Sequence, residues 1–278
     1  HPSIIKKYVK DVLKVDNLYL DCNSIIYDAY SKMEFDKLTE SVAVSIIRRV
    51  ILKIEEYISI INPSKTVIIA FDGVAPVAKL EQQRSRRYKS WYQNEISKMI
   101  FKKDKNDVWN TTAITPGTNF MAELNNTVSN HFNPGSFSKL NVSNIFVSGS
   151  NKVGEGEHKL FDYIRLNPEK HFNETTVIYG LDADLIMLSI NHLPICPNIY
   201  LFREASEYGN LAVFHSGKPY LFMDMNNVKA PLSAYMLSAP ASTWKGYNSV
   251  PTAPSTVQAT FDTQLNKWIA WSGWTGQE

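Results

Sequence analysis

Six acidic residues stand in four short clusters, each where an apolar run gives way to a turn or helix. Asp21 closes Leu18-Tyr19-Leu20-Asp21, and Asp72 closes Val67-Ile68-Ile69-Ala70-Phe71-Asp72. Glu155 and Glu157 lie in Gly154-Glu155-Gly156-Glu157-His158-Lys159, and Asp182 and Asp184 in Tyr179-Gly180-Leu181-Asp182-Ala183-Asp184. Open α/β sheets bind ligands at the carboxyl ends of their strands. Acids gathered there repel one another unless hard cations hold them. The chemistry this suggests is phosphodiester hydrolysis with two Mg²⁺ or Mn²⁺ ions about 4 Å apart. If the strand end stays extended, Asp182 and Asp184, spaced i and i+2, point to one face; Glu155 and Glu157 share the spacing. Any one acid alone reads better as a turn residue or helix N-cap. Their repetition at successive strand ends is what favours a metal site.

A basic segment follows Asp72. From Lys79 to Lys105 nine Lys or Arg face three acids, a balance of +6 within a chain whose net charge is only +2. On a helix, Lys79, Gln83, Arg86 and Arg87 fall within an arc of roughly 100°. Guanidinium and ammonium groups beside a metal site suit a terminal phosphate, whereas a solvated basic face is the plainer alternative. Trp91 and Tyr92 read as packing residues rather than base-stacking ones.

The elements that must position these groups alternate between strand and helix, which predicts a mainly parallel central sheet flanked by helices. Strands are predicted at Asn17 to Asp21, Thr66 to Phe71, Asn144 to Ser148, Thr175 to Leu181 and Ile199 to Arg203, with a sixth at Tyr220 to Asp224. Helical periodicity runs from Thr39 to Ile61, with Val42, Ile46, Val50, Ile54 and Ile58 on one face and Asn62-Pro63 as the stop. The basic helix spans about Ala78 to Lys103, and a loop runs from Asp104 to Thr115. Pro116-Gly117-Thr118 opens a helix with Phe120, Leu124 and Val128 as its stripe, and another helix covers Lys159 to Leu166.

Two domains are expected: 1-226, and a tail, 227-278, of different character. From residue 225 onward there are five charged side chains and four of the six tryptophans. A surface so poor in charge and rich in Trp suits a protein partner. No apolar run approaches the roughly 20 residues of a membrane span. Cys22 and Cys196, with no other cysteine, fit a reducing compartment, so the expected location is intracellular, cytoplasmic or nuclear. Asn125-Asn126-Thr127 and Asn173-Glu174-Thr175 are read as chance sequons.

These motifs together resemble the Xrn family of 5′→3′ exoribonucleases. The resemblance is carried by Leu18-Tyr19-Leu20-Asp21, Asp72-Gly73-Val74-Ala75-Pro76, Ala78-Lys79-Leu80, Gln82-Gln83-Arg84-Ser85-Arg86-Arg87-Tyr88, and Ile114 to Met121. Gly154 to Lys159, Tyr179 to Leu188 and Leu201-Phe202-Arg203-Glu204 complete it, in the family's order, over about residues 3–224. It implies a PIN/FEN-like α/β nuclease core acting on single-stranded RNA with a 5′-monophosphate, by attack of water without a covalent enzyme intermediate. It assigns Asp21, Asp72, Glu155, Glu157, Asp182 and Asp184 to the metals, and Lys79, Gln83, Arg86 and Arg87 to the 5′-phosphate. Where the family has a base-stacking His, this chain has Tyr27, whose aromatic face can also stack. The family's later Gly-Asn-Asp carboxylate has no counterpart: beyond Asp224 the acids are Asp262 and Glu278. The competing expectation is therefore a catalytically weak RNA-binding or structural relative.

Overall fold

The computed structural model describes residues 13–33, 40–101, 109–133, 135, 140–204, 213–215 and 218–229. The strands are β1 (Asn17–Asp21), β2 (Thr66–Ala70), β3 (Asn144–Ser148), β4 (Thr176–Tyr179), β5 (Ile199–Glu204), β6 (Val213–His215) and β7 (Lys218–Asp224). The helices are α1 (Asn23–Ser31), α2 (Val42–Ile61), α3 (Val77–Phe101), α4 (Asn119–His131), α5 (Gly156–Leu166), α6 (Pro168–Asn173) and α7 (Asp184–His192). All seven strands join one sheet in the order β3-β2-β1-β4-β5-β7-β6. The first five pair in parallel; β7 runs antiparallel to β5 and to β6.

Alternation decides which face each strand residue serves. Leu18, Leu20, Val67, Ile69, Val177 and Tyr179 share a core with α1, α2 and α4. Tyr19, Ile68 and Ile178 are buried on the other face, where α5 packs on β1 and β2. Both faces are covered, so the runs Leu18-Tyr19-Leu20, Val67-Ile68-Ile69 and Val177-Ile178-Tyr179 inside β1, β2 and β4 are continuously apolar or aromatic rather than alternating.

Local chemistry sets the helix ends. The Ser41 hydroxyl accepts the Val44 N–H at the start of α2, and Asn62, in the left-handed region at φ 51°, stops it. Thr118 caps α4 by accepting the Met121 N–H. The predicted stripe Val42, Ile46, Val50, Ile54 and Ile58 is buried throughout. Truncating one of these isoleucines to Ala costs about 2–5 kcal/mol.

Several expectations need correction. α5 begins at Gly156 rather than Lys159, and β4 ends at Tyr179 rather than Leu181. There is a seventh strand, β6, too short to announce itself. Trp91 and Tyr92 are 51% and 61% exposed and do not pack into the core. Residues 102–108, where the basic helix was expected to end, and 230–278, nearly all of the expected tail, lie outside the described residues.

Candidate metal and phosphate site

β2 and β3 lie on one side of β1, β4 and β5 on the other. The chain thus reverses its direction of sheet growth between β1 and β4, and the crevice beyond such a reversal is where doubly wound sheets bind ligands. Asp21 is the last residue of β1, Asp72 follows β2 by two residues, and the other four acids sit beyond β3 and β4. Asp224, at the carboxyl end of antiparallel β7, is opposite Tyr200 near the start of β5. It therefore lies at the opposite edge of the sheet.

The acids meet in overlapping sets. Ligand atoms of Glu157, Asp182 and Asp184 lie within 4.8 Å of one another, as do those of Glu155, Glu157 and His158. Neither pair is positioned by an extended strand, contrary to the spacing argument. Glu155 is the N-cap of α5 and Glu157 lies in its first turn; Asp184 opens α7 and its N–H donates to Asp182 Oδ1, 3.2 Å away. Two turns, each opening a helix, bring these side chains together. The α5 N-terminus also favours negative charge.

Asp21 and Asp72 flank α5 at Gly156. The Gly156 N–H donates to Asp72 Oδ1 at 2.6 Å, and a Cβ there would fall 2.6 Å from Asp21 Oδ1. Glycine is what lets the helix approach both acids. Asn23 holds Asp72 from the other side: its amide donates to Oδ2, while its Oδ1 accepts the Asp72 N–H.

The electrostatics fit a cation site. Burial, then the charges of Asp72, Glu157 and Asp182, push the Asp21 carboxyl up to about 8. Burial and the charges of Asp182, Glu155 and Asp184 raise Glu157 to about 7. Asp72 is also raised, by burial, against the pull of the Gly156 N–H. Among the described residues, buried Asp21 Oδ1 has no hydrogen-bond partner. Crowded carboxylates with a free buried oxygen fit the oxygen donor set of a hard divalent ion.

Cations border the acids. Lys79 Nζ is 2.8 Å from Glu155 Oε2, which holds its ammonium pKa above the usual value. Gln83 and Arg87 follow on the same partly covered face of α3. Arg86 is exposed, yet close enough for its charge to lower the Asp72 pKa. Tyr27 stands one turn beyond Asn23 on α1, its ring 45% exposed.

Three supporting residues escaped the sequence reading. Asn23 follows the Leu18-Tyr19-Leu20-Asp21 motif by two residues and had no assigned role. Asn125 on α4 donates to Ser150 Oγ at 2.8 Å and accepts the Ser150 N–H at 3.0 Å, tying down the loop before Glu155. Lys159 Nζ donates to the carbonyls of Phe71 and Gly149 at 2.7 and 3.0 Å. Burial pushes its pKa down to about 8. Gly73 locks the same loop, because a Cβ there would fall 1.7 Å from the Lys152 carbonyl oxygen.

The profile of the family described as "XRN 5'-3' exonuclease N-terminus" matches residues 1–205. The chain is 37% identical over 204 residues to 5'-3' exoribonuclease 1 of Saccharomyces cerevisiae, covering 70% of this chain and 13% of that protein. It is 36% identical over 196 residues to 5'-3' exoribonuclease 2 of Arabidopsis thaliana, covering 63% and 19%. It is 35% identical over 223 residues to 5'-3' exoribonuclease 1 of Homo sapiens, covering 74% and 12%. The chain thus spans less than a fifth of the length of each of these relatives. Among solved structures, human GEN1 in complex with Holliday junction DNA aligns with 95% of this chain and 56% of its own, at 11% identity and a TM-score of 0.41.

Proposed function

The chain belongs to the XRN 5′-3′ exonuclease family through its N-terminal region, and from that premise we propose that it removes nucleotides from RNA bearing a 5′-monophosphate. The observation that carries the proposal is the Lys79–Glu155 pair, which joins the acidic cluster to the basic face of α3. One end of the site then faces the scissile phosphate and the other the terminal phosphate. Two divalent cations, Mg²⁺ or Mn²⁺, would be held by Asp21, Asp72, Glu155, Glu157, Asp182 and Asp184. When bound, they would supply Lewis-acid activation of the phosphodiester and favour ionisation of the attacking water.

The chain's own groups divide the remaining work. Lys79, Gln83, Arg86 and Arg87 bind the 5′-phosphate through charge-assisted hydrogen bonds. The Tyr27 ring stacks on a base near that end. Asn23 and the Gly156 N–H orient the Asp72 carboxylate, and burial of Asp21 and Glu157 raises the cost of leaving their charges unmatched.

The test is degradation of 5′-monophosphate and 5′-triphosphate RNA by the full chain, with and without Mg²⁺. Mononucleotides should accumulate from the monophosphate RNA alone, and only with the cation. Robust turnover in excess EDTA would sink the metal reading. The second reading is an RNA-binding relative without turnover. It predicts retention of 5′-phosphate RNA without its consumption.

A further inference from the structure

Lys159 lies one turn into α5, four residues after Glu155, and is neither a candidate metal ligand nor part of the basic face of α3. Its side chain reaches across to two strands at once. One bond goes to the Phe71 carbonyl, immediately before Asp72; the other goes to the Gly149 carbonyl, which opens the loop leading to Glu155. The Phe71 N–H donates to the Ser148 carbonyl at 2.9 Å, extending the β2–β3 pairing one step past β2. Beyond that point the turn after β2 and the loop after β3 stay joined: the Gly73 N–H donates to the Gly154 carbonyl at 2.8 Å and the Gly154 N–H to the Val74 carbonyl at 3.1 Å. Lys159 adds a side-chain bridge from α5 to both segments, at Phe71 and at Gly149.

The choice of partners is informative. An ammonium placed only to offset negative charge would pair with a carboxylate. Among the described residues Lys159 forms no ion pair and gives its hydrogen bonds to two backbone carbonyls. The neighbouring carboxylate oxygens are left for another cation. The Gly149 carbonyl also accepts the Lys152 N–H at 3.2 Å, whereas the Phe71 carbonyl would otherwise need another donor, and an unmet buried acceptor is costly. With the Gly156 N–H on Asp72, this bond gives the first turns of α5 a second tie to the end of β2.

We infer that Lys159 is a positioning residue for the metal site: its ammonium ties the first turns of α5 to the segments after β2 and β3 together, and so holds the Glu155/Glu157 pair in place against Asp72. This rests on the metal reading proposed above. It assigns Lys159 no contact with substrate. Outer residues that orient ligands typically change metal affinity by about 10- to 100-fold when removed.

The experiment is titration of the purified full chain with Mn²⁺ alone, followed by the electron paramagnetic resonance of the free ion. Wild type is compared with Lys159→Met, which keeps the stem and removes the donors, and with Lys159→Gln. Circular dichroism and thermal melting establish which variants fold. The expected result is Mn²⁺ affinity weakened about 10- to 100-fold in the folded variants. A merely structural lysine would lower the melting temperature and leave Mn²⁺ affinity alone. A folded variant that binds Mn²⁺ within twofold of wild type overturns the inference. So does failure of both variants to fold, which would make Lys159 a folding requirement. If wild type itself binds no Mn²⁺, the metal reading falls first and this inference with it.

Discussion

Lys79 Nζ stands 2.8 Å from Glu155 Oε2, so the first basic residue of the α3 face touches an acid at the head of α5. The same cation can serve a terminal phosphate while steadying a candidate metal ligand. Lys79→Met should therefore lower kcat/KM for 5′-monophosphate RNA by about 10- to 100-fold, the scale of a charge-assisted hydrogen bond of ~1.5–3 kcal/mol. Activity on 5′-hydroxyl RNA should fall much less. Equal losses on the two RNAs would remove Lys79 from the phosphate pocket.

Stability without divalent cations should fall as pH rises from about 6.5 to 8. Asp21 and Glu157 titrate at about 8 and about 7, above their ordinary values, chiefly because they are buried. A carboxyl raised on folding contributes stability that is full below its unfolded pKa and is lost as pH climbs through the folded one. Opposing contributions lie outside this window. Buried His171 and His192, both lowered, act below about 6.5, and Lys159 acts above about 8. Thermal melts in EDTA should show the decline, and added Mg²⁺ should flatten it by replacing the protons. A melting temperature that climbs with pH in EDTA over this range would contradict the assignment.

Gly156→Ala separates stability from function. Alanine is the better helix former by about 1 kcal/mol, so α5 itself should tolerate the change. The new Cβ, however, would fall 2.6 Å from Asp21 Oδ1 and 3.3 Å from Asp72 Oδ1. The expected outcome is a melting temperature within a few degrees of wild type and Mn²⁺ binding weakened by about tenfold or more. Calorimetric titration beside a thermal melt would check both halves.

Tyr27→Phe should leave affinity for 5′-phosphate RNA nearly unchanged, and Tyr27→Ala should weaken it. Base–aromatic stacking is worth about 1–3 kcal/mol, or roughly a 5- to 150-fold rise in Kd. Loss of affinity in the Phe variant would mean that the hydroxyl, not the ring face, makes the contact.

The parallel strands and their closing acids were legible because buried apolar runs ending in Asp are a local signal. β1 and β3 begin and end where the sequence suggested. The i, i+2 argument for Asp182 and Asp184 reached the right grouping by the wrong geometry. It supposed an extended strand end, whereas a turn and the start of α7 gather them. α1 went unpredicted because nine residues give little more than two turns of periodicity. Nothing in the sequence assigned a role to Asn23, Asn125 or Lys159, although Lys159 closes the Gly154 to Lys159 motif. Their partners are backbone or side-chain groups that only the fold brings near. Trp91 and Tyr92 were misread because an aromatic pair on a helix usually marks a packed face, and here both rings are exposed.

β1 sits between β2 and β4, and its two neighbours are far apart in the chain. During synthesis β1 and β2 can pair early, yet Asp21 meets Asp182 only after β4 has left the ribosome and docked on the open edge of β1. Such long-range parallel pairing forms late and slowly. Up to that moment the nascent chain holds the basic helix α3 and part of the acidic set without the rest. The six-acid cluster is therefore a late product of folding, complete only once β4 has joined the sheet.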